Sequence, residues 1–107
     1  MADARSVIFQ SGSATNTPSI ASAATALAAN ANRTTWSIQN LSGANPLFVL
    51  LGSGASNSVF HVVLKQGTGQ DDGTGGVVGQ SGPLVYCGII TIAGTSPRYT
   101  VLEMNNS

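Results

Sequence analysis

Residues 33 to 51 read Arg33-Thr34-Thr35-Trp36-Ser37-Ile38-Gln39-Asn40-Leu41-Ser42-Gly43-Ala44-Asn45-Pro46-Leu47-Phe48-Val49-Leu50-Leu51, two apolar stretches around a polar break. In the first, Trp36 and Ile38 alternate with Thr35, Ser37 and Gln39, the period of two of a strand with one dry face and one wet face. Asn40 to Pro46 interrupts it with turn-forming residues: Asn and Ser bond locally to the backbone, Gly accepts positive φ, and Pro fixes φ without an N–H. Leu47 to Leu51 is apolar on both faces and short for a helix, so it reads as a strand covered on two sides. The expected unit is a hairpin of two core strands, and its second arm needs a further layer or a partner.

Working outward toward the C-terminus, Gly52 to Asn57 is a loop of glycines and small polar residues. Ser58 to Lys65 reads as a third strand, with Val59, His61 and Val63 on one face and Phe60, Val62 and Leu64 on the other. Residues 66 to 83 hold seven of the thirteen glycines and read as a long loop reaching away from the body, a length that is uncommon without a functional role. Leu84 to Ala93 is β-branched and aromatic, one strand bent at Gly88 or two short ones. Arg98 to Met104 closes the domain as a strand, with Tyr99 and Val101 opposite Leu102 and Met104.

Toward the N-terminus the texture changes. Val7, Ile8 and Phe9 form an isolated apolar triplet, and Ser11 to Ser19 is a polar linker. Ile20 to Ala31 is alanine-rich, which favours a helix on propensity. Its only larger apolar residues are Ile20 and Leu27, too few to bury a helical face, so an extended arm with a strand near Thr25 to Ala28 is the preferred reading. The expectation is therefore an all-β chain: an extended N-terminal arm over residues 1–32, then a small antiparallel β-sandwich or barrel of about six strands over residues 33–107.

Only 7% of the 107 residues are charged, against roughly 25% in ordinary soluble domains. Asp3, Asp71, Asp72 and Glu103 balance Arg5, Arg33, Lys65 and Arg98, leaving no footprint for nucleic acid or an anionic membrane. No run approaches the ~20 apolar residues of a membrane span. The three-residue apolar run after Met1 falls short of a secretion signal, so cytoplasmic synthesis is expected. A surface of Ser, Thr, Asn, Gly and Ala gives little protection against association, and this points to a component of an assembly.

Catalytic chemistry finds little support. His61 lies between valines with no carboxylate nearby in sequence, and no serine stands in a Gly-x-Ser-x-Gly elbow. A hydrogen-bonded structural or interface histidine is the expectation. Cys87 is the sole cysteine and reads as a buried, inert thiol in a strand. Asp71-Asp72-Gly73 is the acidic pair; calcium requires six to eight oxygens, so a loop tip or an interface contact is the better reading. Gly67-Thr68-Gly69 lacks the third glycine of a dinucleotide loop. Trp36 reads as core. No enzyme activity, metal or cofactor is expected.

The run Leu27-Ala28-Ala29-Asn30-Ala31-Asn32-Arg33 to Asn40, followed by Leu47 to Gly52, resembles a pattern of small tailed-phage virion proteins: arginine, short apolar strand, Gln-Asn, turn, apolar strand ending in Gly. Tyr86 to Gly94 and Tyr99 to Glu103 resemble its usual tail, and the likeness spans roughly residues 21 to 104, departing at the long glycine loop. It implies a virion structural protein of the capsid decoration, or cement, type, commonly trimeric, with the major capsid protein as partner and the capsid surface as location. On that reading Val7, Ile8, Phe9, Asp71 and Asp72 are the candidate capsid- or oligomer-binding residues. Other readings are a tail, fibre or head-to-tail component, or an adhesin domain whose loop contacts host glycan. The loop between Gly67 and Gly82 carries no aromatic residue for such a contact.

Overall fold

Asn40 decides the architecture. In the computed structural model, which describes residues 11–17 and 22–105, its side chain is 1% exposed and sits where the chain leaves one sheet for another. Its Nδ2 donates to the Asn45 carbonyl at 2.9 Å and the Leu64 carbonyl at 3.0 Å, and its Oδ1 accepts from the Ser42 N–H at 2.9 Å. Ser42 Oγ accepts from the Ala44 and Asn45 N–H groups, each at 3.1 Å. These bonds satisfy a backbone that turns inside the protein, where an unpaired group would be costly. The two strands flanking this crossover do not pair, so the expected hairpin is instead an arch between two sheets.

The strands are β1 (Ser11–Thr17), β2 (Ala23–Leu27), β3 (Arg33–Asn40), β4 (Leu47–Leu50), β5 (Val62–Leu64), β6 (Val77–Ser81), β7 (Ile90–Gly94) and β8 (Tyr99–Asn105). The first sheet has the order β1-β8-β3-β6 and the second β2-β7-β4-β5, with every neighbouring pair antiparallel. Pairing is nested: β1 with β8, β2 with β7, β3 with β6, β4 with β5. Every connection except β4 to β5 changes sheet. This is the order of a double Greek-key jelly roll. The all-β, antiparallel sandwich expected from sequence is what forms, with eight strands among the described residues in place of about six.

The two-sheet arrangement follows from the inward side chains. Trp36 and Ile38 from β3 and Tyr99 and Val101 from β8 meet Leu47 and Val49 from β4, Leu64 from β5, Ile90 and Ile92 from β7 and Leu27 from β2. Trp36, Ile38, Leu47, Val49, Ile90 and Ile92 are fully buried. Trp36 Nε1 donates to Gln80 Oε1 at 3.0 Å, so its polar edge is paired as burial requires.

Several expectations are corrected. The Ser11 to Ser19 linker contains β1, and the arm expected over residues 1–32 supplies an edge strand to each sheet through β1 and β2. Polar side chains do not prevent this, because β1 is held by backbone pairing from Ser11↔Asn105 to Thr17↔Tyr99. The strand expected over Ser58 to Lys65 contracts to Val62–Leu64: Val59 and Phe60 lie on the outside, 51% and 37% exposed, so their apolar character does not mark a core strand.

The glycine loop folds back instead of reaching away. Gly67 N–H donates to the Ser42 carbonyl, Asp71 N–H to Leu41 and Gly76 N–H to Lys65, and Gln39 Nε2 donates to the Gly73 and Gly75 carbonyls at 2.9 and 3.0 Å. Its last third is β6, lying on β3; a Cβ at Gly79 would stand 2.5 Å from the Trp36 carbonyl oxygen, so the glycine allows the approach. The strand expected from Leu84 begins only at Ile90. The segment before it is tied down by Arg33, whose Nη1 donates to the Tyr86 and Gly88 carbonyls at 2.9 and 3.0 Å.

Candidate interaction surface

Side-chain alternation distributes residues differently on the two outer faces. Outside the first sheet the polar Thr35, Ser37, Gln39 and Thr100 stand interleaved with the apolar Met104, Leu102 and Val77. Outside the second, the register aligns one residue from each strand: Ala23 beside Ala93, Ala93 beside Phe48, Phe48 beside Val63. This row crosses all four strands without a charge or a hydrogen-bonding side chain. Leu50 lies beside Thr91 in the next row. The unusual two-sided apolarity of Leu47 to Leu51 is thus explained: Leu47 and Val49 face the core, and Phe48 and Leu50 face outward.

The loop between β4 and β5 folds across part of this face. Thr91, 7% exposed, accepts from the Ala55 N–H at 3.2 Å and donates its hydroxyl to the Gly52 carbonyl at 2.7 Å. Ser56 Oγ accepts from the Ser58 and Val59 N–H groups at 3.1 and 3.0 Å, closing a tight turn. His61 is exposed; its N–H donates to the Val49 carbonyl at 2.8 Å, and its Nδ1 accepts from the Leu51 N–H at 3.1 Å, so the ring secures the return of the loop. Phe60 then rests on Phe48, ring centroids 5.0 Å apart and planes inclined by 60°, a favourable tilted arrangement.

Two features result. Val59, Phe60 and Val63 form an exposed apolar ridge. Beside it lies a groove of about 540 Å³ with Ala23, Pro46, Phe48, Ala55 and Ala93 in its walls and uncharged Ser56 and Asn57 on its rim. The sequence signal for it was the outward half of β4, joined to small residues at positions 23 and 93 that leave space. The pairing of β2, β7 and β4 that brings these together is not encoded in any local pattern.

The residues expected at a binding site fall elsewhere. Val7, Ile8 and Phe9 lie outside the described residues. Asp71 and Asp72 sit in the glycine loop, and their carboxylates are occupied within the chain. Asp71 receives a two-point contact from Arg98, Nε and Nη2 each 2.6 Å from its oxygens; this hydrogen-bonded guanidinium holds the Asp71 carboxyl below its ordinary value of 3.8. Asp72 accepts from the Thr74 hydroxyl at 2.6 Å, the Thr74 N–H at 2.9 Å and the Thr68 hydroxyl at 2.9 Å. Those bonds, the Thr74 hydroxyl first, lower its pKa as well. The two carboxylates point to separate partners and do not converge. Among the described residues no three His, Cys, Asp or Glu side chains cluster to hold a metal ion.

Cys87 is half-buried outside any strand, its thiol 3.6 Å from the Arg33 and Val85 carbonyl oxygens. His61 and Cys87 therefore have separate structural partners.

No protein-family model and no curated protein matches the chain. Among solved structures it is similar to a protein described in the words "Bacillus endospore appendages form a novel family of disulfide-linked pili", with a TM-score of 0.48 and 16% identity over 99% of this chain and 94% of that one. The appendage and its disulfide linkage are properties of that protein.

Proposed function

We propose that the chain is a virion structural protein of a tailed phage, a capsid decoration protein without catalytic activity that binds the outside of the head and bridges capsomers, working as a homo-oligomer, with a trimer favoured. The observation that carries this reading is the uncharged row Ala23–Ala93–Phe48–Val63 across the outside of one sheet, with the Val59–Phe60–Val63 ridge beside it. Ala93 within the row is itself buried, but a freely soluble monomer gains nothing by keeping Val59, Phe60 and Val63 wet, whereas apolar area removed from water contributes about 25 cal/mol per Å². The sequence resemblance supplies the shell as partner, and the charge-poor surface fits a protein whose neighbours are protein.

Each copy forfeits motional freedom on docking, a cost of about 4–15 kcal/mol, so a small contact holds weakly by itself. Oligomers that present several copies of the same ridge convert weak contacts into durable occupancy through effective concentration. Co-sedimentation of the purified protein with emptied shells built from the accompanying major capsid protein tests the proposal. Saturable binding, weakened at least tenfold by Val63→Asp or Phe60→Asp, is the expected result. Protein that stays in the supernatant, or that binds tail assemblies or cell-surface glycan instead, would overturn it.

A further inference from the structure

We infer that the groove on the outer face of the second sheet receives the Val7-Ile8-Phe9 segment of another copy of this chain, joining copies head to tail. The inference rests on the self-associating part of the proposed function and not on the shell.

Reach keeps the segment out of its own groove. β1 runs antiparallel to β8, with Ser11 beside Asn105 and Thr17 beside Tyr99. The groove, walled by Ser22, Ala23, Gly94 and Thr95 among others, lies at the Thr17 end, because Gly94 closes β7 and Tyr99 opens β8 a few residues later. From Ser11, the segment would have to retrace the seven residues of β1, about 20 Å at the rise of a strand, and cross a sandwich whose sheets stand about 10 Å apart. Phe9 lies two residues before Ser11 and Val7 four, giving them at most about 7 and 14 Å of chain. While β1 stays paired, neither can enter the groove of its own molecule. The Val7-Ile8-Phe9 segment can therefore enter such a groove only on a second copy.

Size and charge suit the groove to the segment. The groove volume, about 540 Å³, is within the roughly 300–1,000 Å³ of sites that enclose compact apolar ligands. Its walls carry no charge, and Val7-Ile8-Phe9-Gln10 carries none either. Ala23 and Ala93 leave the depth, while the Ser56 and Asn57 rim can bond the backbone of an extended segment.

A contact between different surfaces of identical copies closes into a ring or continues as a filament, according to the rotation between neighbours. The trimer of the proposed function is the three-membered ring.

Disulfide trapping between full-length proteins, with Cys87→Ser as background, tests the contact. A protein with Phe9→Cys is mixed with one carrying Asn57→Cys, at the groove rim, or Ser81→Cys, exposed on the other sheet, and oxidised with diamide. The expected result is a covalent dimer forming at least tenfold faster with Asn57→Cys than with Ser81→Cys, and the advantage vanishing when Ala23→Phe fills the groove. Equal rates at the two positions would overturn the inference. So would a monomeric intrachain disulfide in the doubly substituted Phe9→Cys, Asn57→Cys protein, since that would show the segment seated in its own groove. Shell co-sedimentation of the unsubstituted protein reads separately, so loss of this contact and loss of the shell-binding reading are distinguishable.

Discussion

Arg33 concentrates more structural consequence than any other charged side chain described. Its side chain is fully buried against Glu103, whose oxygen lies 2.9 Å from Nε, and its remaining donors reach the carbonyls of Ala28, Tyr86 and Gly88. One planar fork thus ties together the exit from β2, the start of β3, the segment before β7 and strand β8, a task suited to guanidinium and poorly to ammonium. Arg33→Met is expected to destabilise by about 3 kcal/mol, the scale for leaving one half of a buried ion pair without its partner. Glu103→Gln keeps an acceptor and should cost about 1–1.5 kcal/mol. Urea unfolding of the two variants checks the order; equal losses would mean the carbonyl contacts contribute little. In the sequence, Arg33 was visible as the start of a strand. Its distant partners Tyr86, Gly88 and Glu103, 53 to 70 residues away, were not, because no periodicity specifies a contact at that separation.

At the scale of elements, β6 and the glycine loop behave as one applied layer. Gly79 lets β6 approach β3, and Gln80 from the same strand caps the Trp36 indole. Gly79→Val forces a side chain against the Trp36 carbonyl and Ser37, a clash expected to cost about 1–3 kcal/mol. Because Trp36 is the sole tryptophan, its emission should shift to the red as β6 lifts; an unchanged spectrum would show that β6 is dispensable to the cover.

The loop preceding β6 responds to acid. The folded Asp71 and Asp72 pKa values lie below 3.8, so their contribution is fully present above that pH and is lost as pH falls through the depressed values. Amide exchange at Thr68 and Thr74 is expected to accelerate below about pH 4, relative to the base-catalysed trend, before the sandwich unfolds. The same acceleration in Asp72→Asn, which cannot titrate, would break the link.

These elements also mark what a linear reading can deliver. β3 was legible because alternation fixes which residues face inward; β4 and β8 were legible as strands, but apolar residues on both of their faces left the inward side open. The partner of each strand was not legible, since the same alternation suits a hairpin or an arch, and the side chain of Asn40 settles the choice. β6 was hidden by glycines, and Val59 and Phe60 imitated a core strand because an exposed apolar ridge and a buried strand look alike in sequence.

For the whole molecule, charge decides how any association should depend on salt. Formal net charge is zero; Arg33–Glu103 and Arg98–Asp71 are paired within the chain, and the groove walls and the Val59–Phe60–Val63 ridge are uncharged. Screening weakens interfaces that join exposed charges, because the Debye length contracts from about 10 Å at 0.1 M to about 3 Å at 1 M. Here screening has little to act on. Excluded salts act on the opposite balance: sulfate raises the cost of wet apolar surface and strengthens its burial. Self-association measured by sedimentation equilibrium should therefore change less than about twofold between dilute and near-molar sodium chloride, and should tighten in sodium sulfate of equal ionic strength. Weakening by tenfold or more in chloride would place the contact on charged residues, away from the apolar face, and would redirect attention to Lys65 and the terminal Asp3 and Arg5.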